Sequence, residues 1–449
     1  MSASREQFSS KTGFIMAAAG SAIGLGNIWG FPTQTASNGG AAFVAIYFLL
    51  AFVLAYPALM AELIIGRHAR ANVVTSLRFI SNSKKSHFFA SGVGFFGVIT
   101  ASLILSFYAI VAGWMLAYLG ESITNMFGWS SASDWLTSFG LERNLLSMAL
   151  FMVLTMAIIS SGIQSGIEKW SSRLMPMLLL IMLALIAYVL TQDGAVEGLK
   201  VYLLPDFSQI NPGLILDAMG QAFFSLSLGV GTMLVYGSYL SKQESLPKLG
   251  VAVTLVDSGI AFLAGLLIIP AIFVAQKNGV AVFTDSGAMI AGPDLIFQVL
   301  PSLFNSMGSM GLLVAFAFFC LMSIAALTSS ISMLEVPVSY ITEETPASRH
   351  QATLAVGLTI FAISAIILMN FGQLFGFVID LTTVYSQPLL GVLMCTFAGW
   401  VWHRNNLLEE LKCGDPNIEQ SIFWKVWPGY VRFVCPALIL ATFYQSTLG

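Results

Sequence analysis

The chain has 449 residues, of which 57% are hydrophobic and only 9% charged, with a mean hydropathy of +0.83 and a net charge of −3. A soluble domain carries about 25% charged residues, and apolar runs long enough to cross a bilayer recur throughout this chain. The composition therefore excludes a soluble globular protein and implies a polytopic, all-α membrane protein.

The first apolar run starts near Thr12, is long and leads into further helices, so it reads as a span rather than a cleavable signal peptide. Eleven transmembrane helices are predicted, over 12–37, 41–70, 88–122, 145–161, 165–191, 213–240, 247–276, 308–342, 350–371, 374–402 and 424–446. With the N-terminus cytoplasmic, sixteen of the nineteen Lys and Arg residues fall inside, and only Arg143, Lys200 and Lys277 fall outside. That asymmetry is what the positive-inside rule requires, and a missed or extra helix would scramble it. The long outer loop at 277–307 contains Asp285, Gly287, Gly292, Pro293 and Pro301 and reads either as a lid dipping toward a cavity or as a plain surface loop. Four cysteines (Cys320, Cys395, Cys413, Cys435) lack metal spacing, and four histidines (His68, His87, His350, His403) fall at or near predicted loops. Zinc, disulfides and a histidine relay within the membrane are not expected.

Within the first span, residues 20–32 read Gly-Ser-Ala-Ile-Gly-Leu-Gly-Asn-Ile-Trp-Gly-Phe-Pro. Gly costs roughly 1 kcal/mol relative to Ala in a helix interior, so Gly20, Gly24 and Gly26 mark a break. The sixth span has a second break, at Ser225-Leu-Ser-Leu-Gly-Val-Gly231. Broken backbone at membrane depth persists only where it is buried in protein or lines a wet cavity. Glycines that merely let helices pack closely are the alternative for one cluster. Two clusters five helices apart, on oppositely directed spans, instead predict five-plus-five inverted repeats (about 12–191 and 213–402, with an extra C-terminal helix at about 424–446) forming one transport domain over 1–449.

A broken helix exposes N–H groups at one half-helix, which suit a carboxylate, and C=O groups at the other, which suit sodium or an ammonium. Ser21, Asn27, Ser225 and Ser227 stand at or beside the breaks and add oxygens. The pair of breaks is thus suited to a zwitterion with a hard monovalent cation. Further polar residues at depth are Glu62, Asp257, Glu335 and Asp380, and such groups are costly in a bilayer. Asp257 should either protonate or hold a cation. Glu62 can be structural, the run Thr328-Ser-Ser330 can bond back to its own backbone, and Tyr108 can be a packing tyrosine.

The motifs Arg5, Gly20-Ser-Ala-Ile-Gly-Leu-Gly-Asn27, Phe31-Pro32, Asn38-Gly-Gly40, Glu62, Gly66-Arg67, Tyr108, Trp114, Gly220-Gln221, Phe223-Phe-Ser-Leu-Ser-Leu-Gly229 and Leu327-Thr-Ser-Ser330 span nearly the whole chain. Together they resemble the neurotransmitter:sodium symporter family in its bacterial amino-acid branch, whose leucine transporter is a type case of paired broken helices. The resemblance implies a first sodium site from Ala22, Asn27, Ser225, Asp257 and the substrate carboxylate. It implies a second from the carbonyls of Gly20, Ile23 and Ala325 with the hydroxyls of Thr328 and Ser329. It assigns substrate contacts to Ser21, Ala22, Leu25, Gly26, Ile104, Tyr108, Phe224, Ser225, Ser227, Val230, Ser329 and Met333. It makes Tyr108 and Phe224 an outer lid, and Arg5 and Glu343 an inner gate helped by Phe8, Tyr239 and Gln221.

Departures from the family pattern carry what is particular to this chain. Gly24 replaces the aspartate of monoamine carriers, so the cargo is expected to bring its own acid group. Asp257 replaces a more usual asparagine and would supply a fixed negative charge, which predicts no chloride requirement. Gly30 replaces an arginine that usually pairs with an acid of the tenth helix, leaving Asp380, the aligned outer-gate acid, without that partner. Val230 for phenylalanine widens the pocket, Met333 offers a flexible wall, Phe8 replaces a tryptophan, and Pro337 suggests a kink in the eighth helix.

The expected function is sodium-coupled symport of a neutral, hydrophobic or aromatic amino acid into a bacterial cell across its inner membrane. The chain would act as a monomer or homodimer with no nucleic-acid partner. Alternatives are another zwitterion such as taurine or GABA, proton coupling through Asp257 or Glu335, or a sensor that binds without transporting. No catalytic triad, metal cluster or nucleotide motif lies at depth, so an enzyme ranks last.

Overall fold

The computed structural model describes residues 5–81, 83–282, 290 and 292–448; Asp285 and Gly287 of the outer loop lie outside them. The described secondary structure is helical throughout. Among the described residues nine helices are long and apolar enough to cross a membrane, from Ala41–Ala69 to Ile422–Thr447. A tenth span is the bent pair Lys11–Ala22 and Gly26–Ser37, whose halves meet at 56°. The halves Pro212–Ser225 and Thr232–Ser238 are each too short to span alone and flank the second break. The third and eighth spans are longer than predicted, Lys84–Met126 and Ser309–Glu344, and the latter runs through Pro337 without interruption.

The two breaks have local causes. Ser10 caps the first half-helix by accepting from the Gly13 N–H, and regular hydrogen bonding ends at Ile23, whose ψ of 94° is extended. The chain re-enters a helix at Gly26 through a widened turn, and Pro32 follows at a position where no N–H is needed. In the sixth span, Asn211 caps the start and the helix stops at Ser225. Ser227, Gly229 and Gly231 then all take positive φ, at 52°, 83° and 81°. Only glycine does this freely, and at Gly229 a Cβ would also lie 2.3 Å from the Gln387 carbonyl oxygen. Ser227 is a non-glycine residue held in the left-handed region, and its hydroxyl donates to the Ser21 carbonyl at 3.2 Å, joining one break to the other.

Glu62 supports the second break from the second span. Its carboxylate accepts from the Gly229 N–H at 2.7 Å, covering a donor that the break exposes. Glu335, also buried, is held bidentately by Arg349 at 2.5 and 3.1 Å and accepts from the Tyr239 hydroxyl at 2.6 Å. A carboxylate so engaged is a structural ion pair between the eighth and ninth spans.

The outer loop contains the helix Leu295–Ser306. It is not a plain surface loop: Phe297 packs edge-on to Trp114 and parallel to Phe319, and its carbonyl accepts from the Tyr118 hydroxyl at 3.1 Å.

Candidate ion and substrate site

A cavity of about 210 Å³ lies where the two breaks face the third and eighth spans. All twelve predicted substrate-contact residues, from Ser21 to Met333, line it. Gly24, Trp29, Gly30, Phe107 and Gln387 line it as well.

The residues expected to hold the second sodium are brought together by the close approach of the first and eighth spans at Gly20, where a Cβ would meet the Thr328 Cβ at 3.1 Å. The Ser329 hydroxyl stands 3.1 Å from the Ile23 carbonyl oxygen and 3.3 Å from that of Gly20. The Thr328 hydroxyl is 3.1 Å from the Ala325 carbonyl oxygen. Of this hydroxyl run only Thr328 bonds back to its own helix, reaching Ile324 as well, while Ser330 Oγ has no partner among the described residues. Five neutral oxygens with no charged group suit a hard ion of low charge rather than a transition metal. Among the described residues no group of three or more His, Cys, Asp or Glu is placed to bind a metal.

Of the first-site residues, Asn27, Ser225 and Asp257 meet. Asn27 Nδ2 donates to Asp257 Oδ1 at 2.7 Å, and Ser225 Oγ lies 3.0 and 2.9 Å from the two carboxylate oxygens. The Tyr47 hydroxyl donates to Ser225 Oγ at 3.2 Å. Among the described residues Asp257 is buried with no basic partner, and Asn27 Oδ1, fully buried, accepts no hydrogen bond. A buried carboxylate beside an orphaned carbonyl oxygen has the donor chemistry of a cation site.

Gly24 packs directly against the eighth and third spans. A Cβ there would lie 2.5 Å from Ser329 Oγ and 2.8 Å from the Tyr108 hydroxyl, so no side chain fits between them. The Tyr108 hydroxyl is buried, lines the cavity and has no hydrogen-bond partner among the described residues. The remaining wall is apolar, from Leu25, Ile104, Phe107, Val230 and Met333.

On the face that carries the N-terminus, the path is closed. Arg5 pairs with Glu343, donates to Ser238 Oγ at 2.8 Å and lies 4.6 Å from the centre of the Tyr239 ring. Glu343 in turn accepts from the backbone and side chain of Asn72 at 2.8 and 3.0 Å. Phe8 packs edge-on to Phe14, Tyr236 and Tyr239. Toward the other face a second cavity of about 410 Å³ adjoins the first and shares Phe107, Phe224 and Gln387 with it. Phe224 is 37% exposed and stands between the two, whereas Tyr108 lines the inner cavity alone.

Two expectations are corrected here. Gln221 was expected to help the inner gate, but it belongs to the half-helix before the second break. It lines the outer cavity, and its Nε2 donates to the Gly26 carbonyl at 2.7 Å. It also occupies the space beside Gly30, where a Cβ would lie 3.3 Å from its amide oxygen. Asp380 is exposed, lines neither cavity and makes no ion pair among the described residues; Thr383 and Gln387, one and two turns further on, face the cavity instead. Tyr47 and Gln387 escaped the sequence reading, although each is a polar group inside a predicted span and thus carried the signal of costly polarity at depth.

The model of the sodium:neurotransmitter symporter family matches residues 5–143 and 136–448. The chain belongs to the sodium:neurotransmitter symporter family. Members of this family are transporters, not enzymes, and this symporter uses sodium. An uncharacterized sodium-dependent transporter, YhdH, of Bacillus subtilis (strain 168) is 35% identical over 97% of this symporter and 96% of its own length. The sodium- and chloride-dependent GABA transporter 2 of Rattus norvegicus is 27% identical over 99% of this symporter and 80% of its own length. The crystal structure of MhsT in complex with L-phenylalanine is 36% identical, covers 98% of this symporter and 100% of that chain, and superposes with a TM-score of 0.83.

Proposed function

We propose that this protein is a sodium-coupled symporter that carries a neutral, hydrophobic or aromatic amino acid into the cell. The observation that carries the proposal is the Tyr108 hydroxyl, which has no partner among the described residues and belongs to the wall of a cavity lined by Gly24 and by no carboxylate. It offers a hydrogen-bond donor, and no protein carboxylate, where a substrate carboxylate would sit. The apolar wall from Ile104 to Met333 would take the side chain. The L-phenylalanine bound by MhsT is the kind of cargo such a wall accepts.

In this reading two sodium ions bind, one held by Asn27, Ser225, Asp257 and the Ala22 carbonyl with the substrate carboxylate, the other by Gly20, Ile23, Ala325, Thr328 and Ser329. The Asp257 charge stands in for chloride, so transport needs none. The N-terminus is cytoplasmic, with Arg5 and Glu343 closing the inner side while Phe224 and Gln387 border the outer mouth. The two repeats rock about the fixed central site, and sodium with substrate favours the closed states that lead inward.

Uptake of radiolabelled amino acids into proteoliposomes under an imposed sodium gradient tests the proposal. Accumulation should require external sodium and be insensitive to replacing chloride with gluconate. Equal uptake in sodium and in choline would refute sodium coupling. The likeness to a mammalian GABA transporter favours one second reading, a longer zwitterion as cargo. Competition by GABA or taurine, but not by phenylalanine or leucine, would select it.

A further inference from the structure

A separate cavity of about 280 Å³ opens on the outer side between the third, fourth and ninth spans, lined by Trp114, Phe139, Leu141, Asn144, Leu368 and Phe371. It shares no residue with the central cavity. Its floor is buried, while Phe139, Leu141 and Phe371 form an exposed rim.

Two buried donors, one on its wall and one behind it, have no acceptor among the described residues. Trp114 lines the cavity, is 6% exposed, and its indole N–H has no partner. Arg143 lies behind the wall and is 1% exposed. Its guanidinium stacks 4.8 Å from the centre of the Phe139 ring and 5.9 Å from that of Tyr118. Nε donates to the Leu136 carbonyl at 2.6 Å and Nη1 to Asn144 Oδ1 at 2.6 Å, while Nη2 donates to nothing. Asn144 spends its own amide on the Phe139 carbonyl at 3.0 Å.

No carboxylate lies within ion-pairing distance of Arg143 among the described residues. Glu142 is exposed, and Glu121 is taken by Asn125 and lines a different cavity. A guanidinium buried without a counter-charge is expensive, and each unsatisfied buried donor in a native protein calls for an explanation. The groups left over are donors only, beside one positive charge and three aromatic rings.

We propose that this cavity binds a monocarboxylate with a compact apolar body. The carboxylate accepts from the Trp114 indole N–H, Arg143 supplies the counter-charge, and Phe139, Leu368 and Phe371 hold the apolar part. The same chemistry can arrive from solution as a small aromatic acid or from the bilayer as a fatty acid. The inference does not rest on the transport reading.

The test is isothermal titration of the full-length protein in nanodiscs of zwitterionic lipid with phenylacetate, decanoate and chloride. At least one of the two carboxylates should bind saturably and more tightly than chloride. Phenylacetate alone would mark the solution source and decanoate alone the bilayer source. Trp114→Phe keeps the packing and removes the donor, and should weaken binding about tenfold, as expected for a hydrogen bond to a charged group. Arg143→Gln should weaken it further, and Trp114→Phe decides the matter if that variant does not fold. The proposal is overturned if neither carboxylate saturates, if chloride binds as tightly, or if Trp114→Phe leaves the affinity unchanged, which would put the bound acid in another cavity.

Discussion

Removing the Tyr108 hydroxyl should separate stability from binding. This hydroxyl is buried on the cavity wall and has no protein partner among the described residues. Removing a hydroxyl that anchors no protein group breaks no strong intramolecular hydrogen bond, so it should cost little stability. In the proposed complex the same hydroxyl donates to a carboxylate, a charge-assisted bond contributing about 1.5–3 kcal/mol. Tyr108→Phe should therefore leave the unfolding temperature of the substrate-free protein nearly unchanged. It should weaken amino-acid binding by about 10- to 150-fold, since each 1.4 kcal/mol is a factor of ten. Thermal unfolding in sodium, with and without a fixed amino-acid concentration, reads both quantities, because a ligand stabilises by mass action. A lowered unfolding temperature with an undiminished ligand-induced shift would show that the hydroxyl serves packing and that the carboxylate lies elsewhere.

Asp257→Ala should lower sodium affinity at least tenfold, read as the sodium dependence of substrate binding; an unchanged dependence would refute the first-site assignment. Gly229→Ala meets both a φ of 83° and the Gln387 carbonyl, so it should cost about 2 kcal/mol or more, from left-handed strain and overpacking, in a thermal or denaturant titration. Arg5→Ala should open the N-terminal face, seen as faster thiol labelling of a cysteine placed at Phe8. At the loop-facing end of the second span, Arg67 and His68 hold the buried Glu410 at 2.7 and 3.0 Å. Burial alone would raise the Glu410 pKa, but His68 and Arg67 outweigh it and hold it below the usual carboxylate range. A depressed pKa contributes stability that is present above the unfolded-state value and is lost as pH falls through the folded one. The unfolding temperature should thus drop below about pH 4, and Glu410→Gln should flatten that drop while costing about 3–5 kcal/mol at neutral pH by leaving Arg67 unpaired.

The breaks were legible because glycine and proline write backbone geometry directly into sequence. Gly24, Gly229 and Gly231 sit where a side chain would collide or where φ is positive. The cavity lining was legible only through the family resemblance, because a span that is apolar all round gives no period from which to read its inward face. Gln221 shows what that costs. It precedes the break that Tyr239 follows, and eighteen residues of helix would separate the two by about 27 Å, so chain direction alone could have put it on the outer side. Gln387 was missed for a different reason: the widened turn over Asp380–Ser386 shifts which residues face inward, and with polar residues scattered through 380–387 its polarity did not single it out.

The polar contacts described above also divide the molecule in two. Gln221 on Gly26, Ser227 on Ser21, Asp257 on Asn27 and Ser225, and Glu62 on Gly229 bind the first, second, sixth and seventh spans to one another. None of these bonds reaches the third or eighth span. The boundary between the two bodies is a seam, stitched on the N-terminal side by Arg5 and Glu343 and by Tyr239 on Glu335, and deeper in by Ser21 on Ser332 and by Ser329 on the Gly20 and Ile23 carbonyls. The Ser329 stitch lies among the oxygens proposed to hold the second ion. An ion there would draw oxygens from both bodies to itself, and its departure would leave a serine hydroxyl to span the seam. Sodium is then a fastener as well as a driving force, and the stiffness of the protein across that seam should rise with sodium even when no substrate is present.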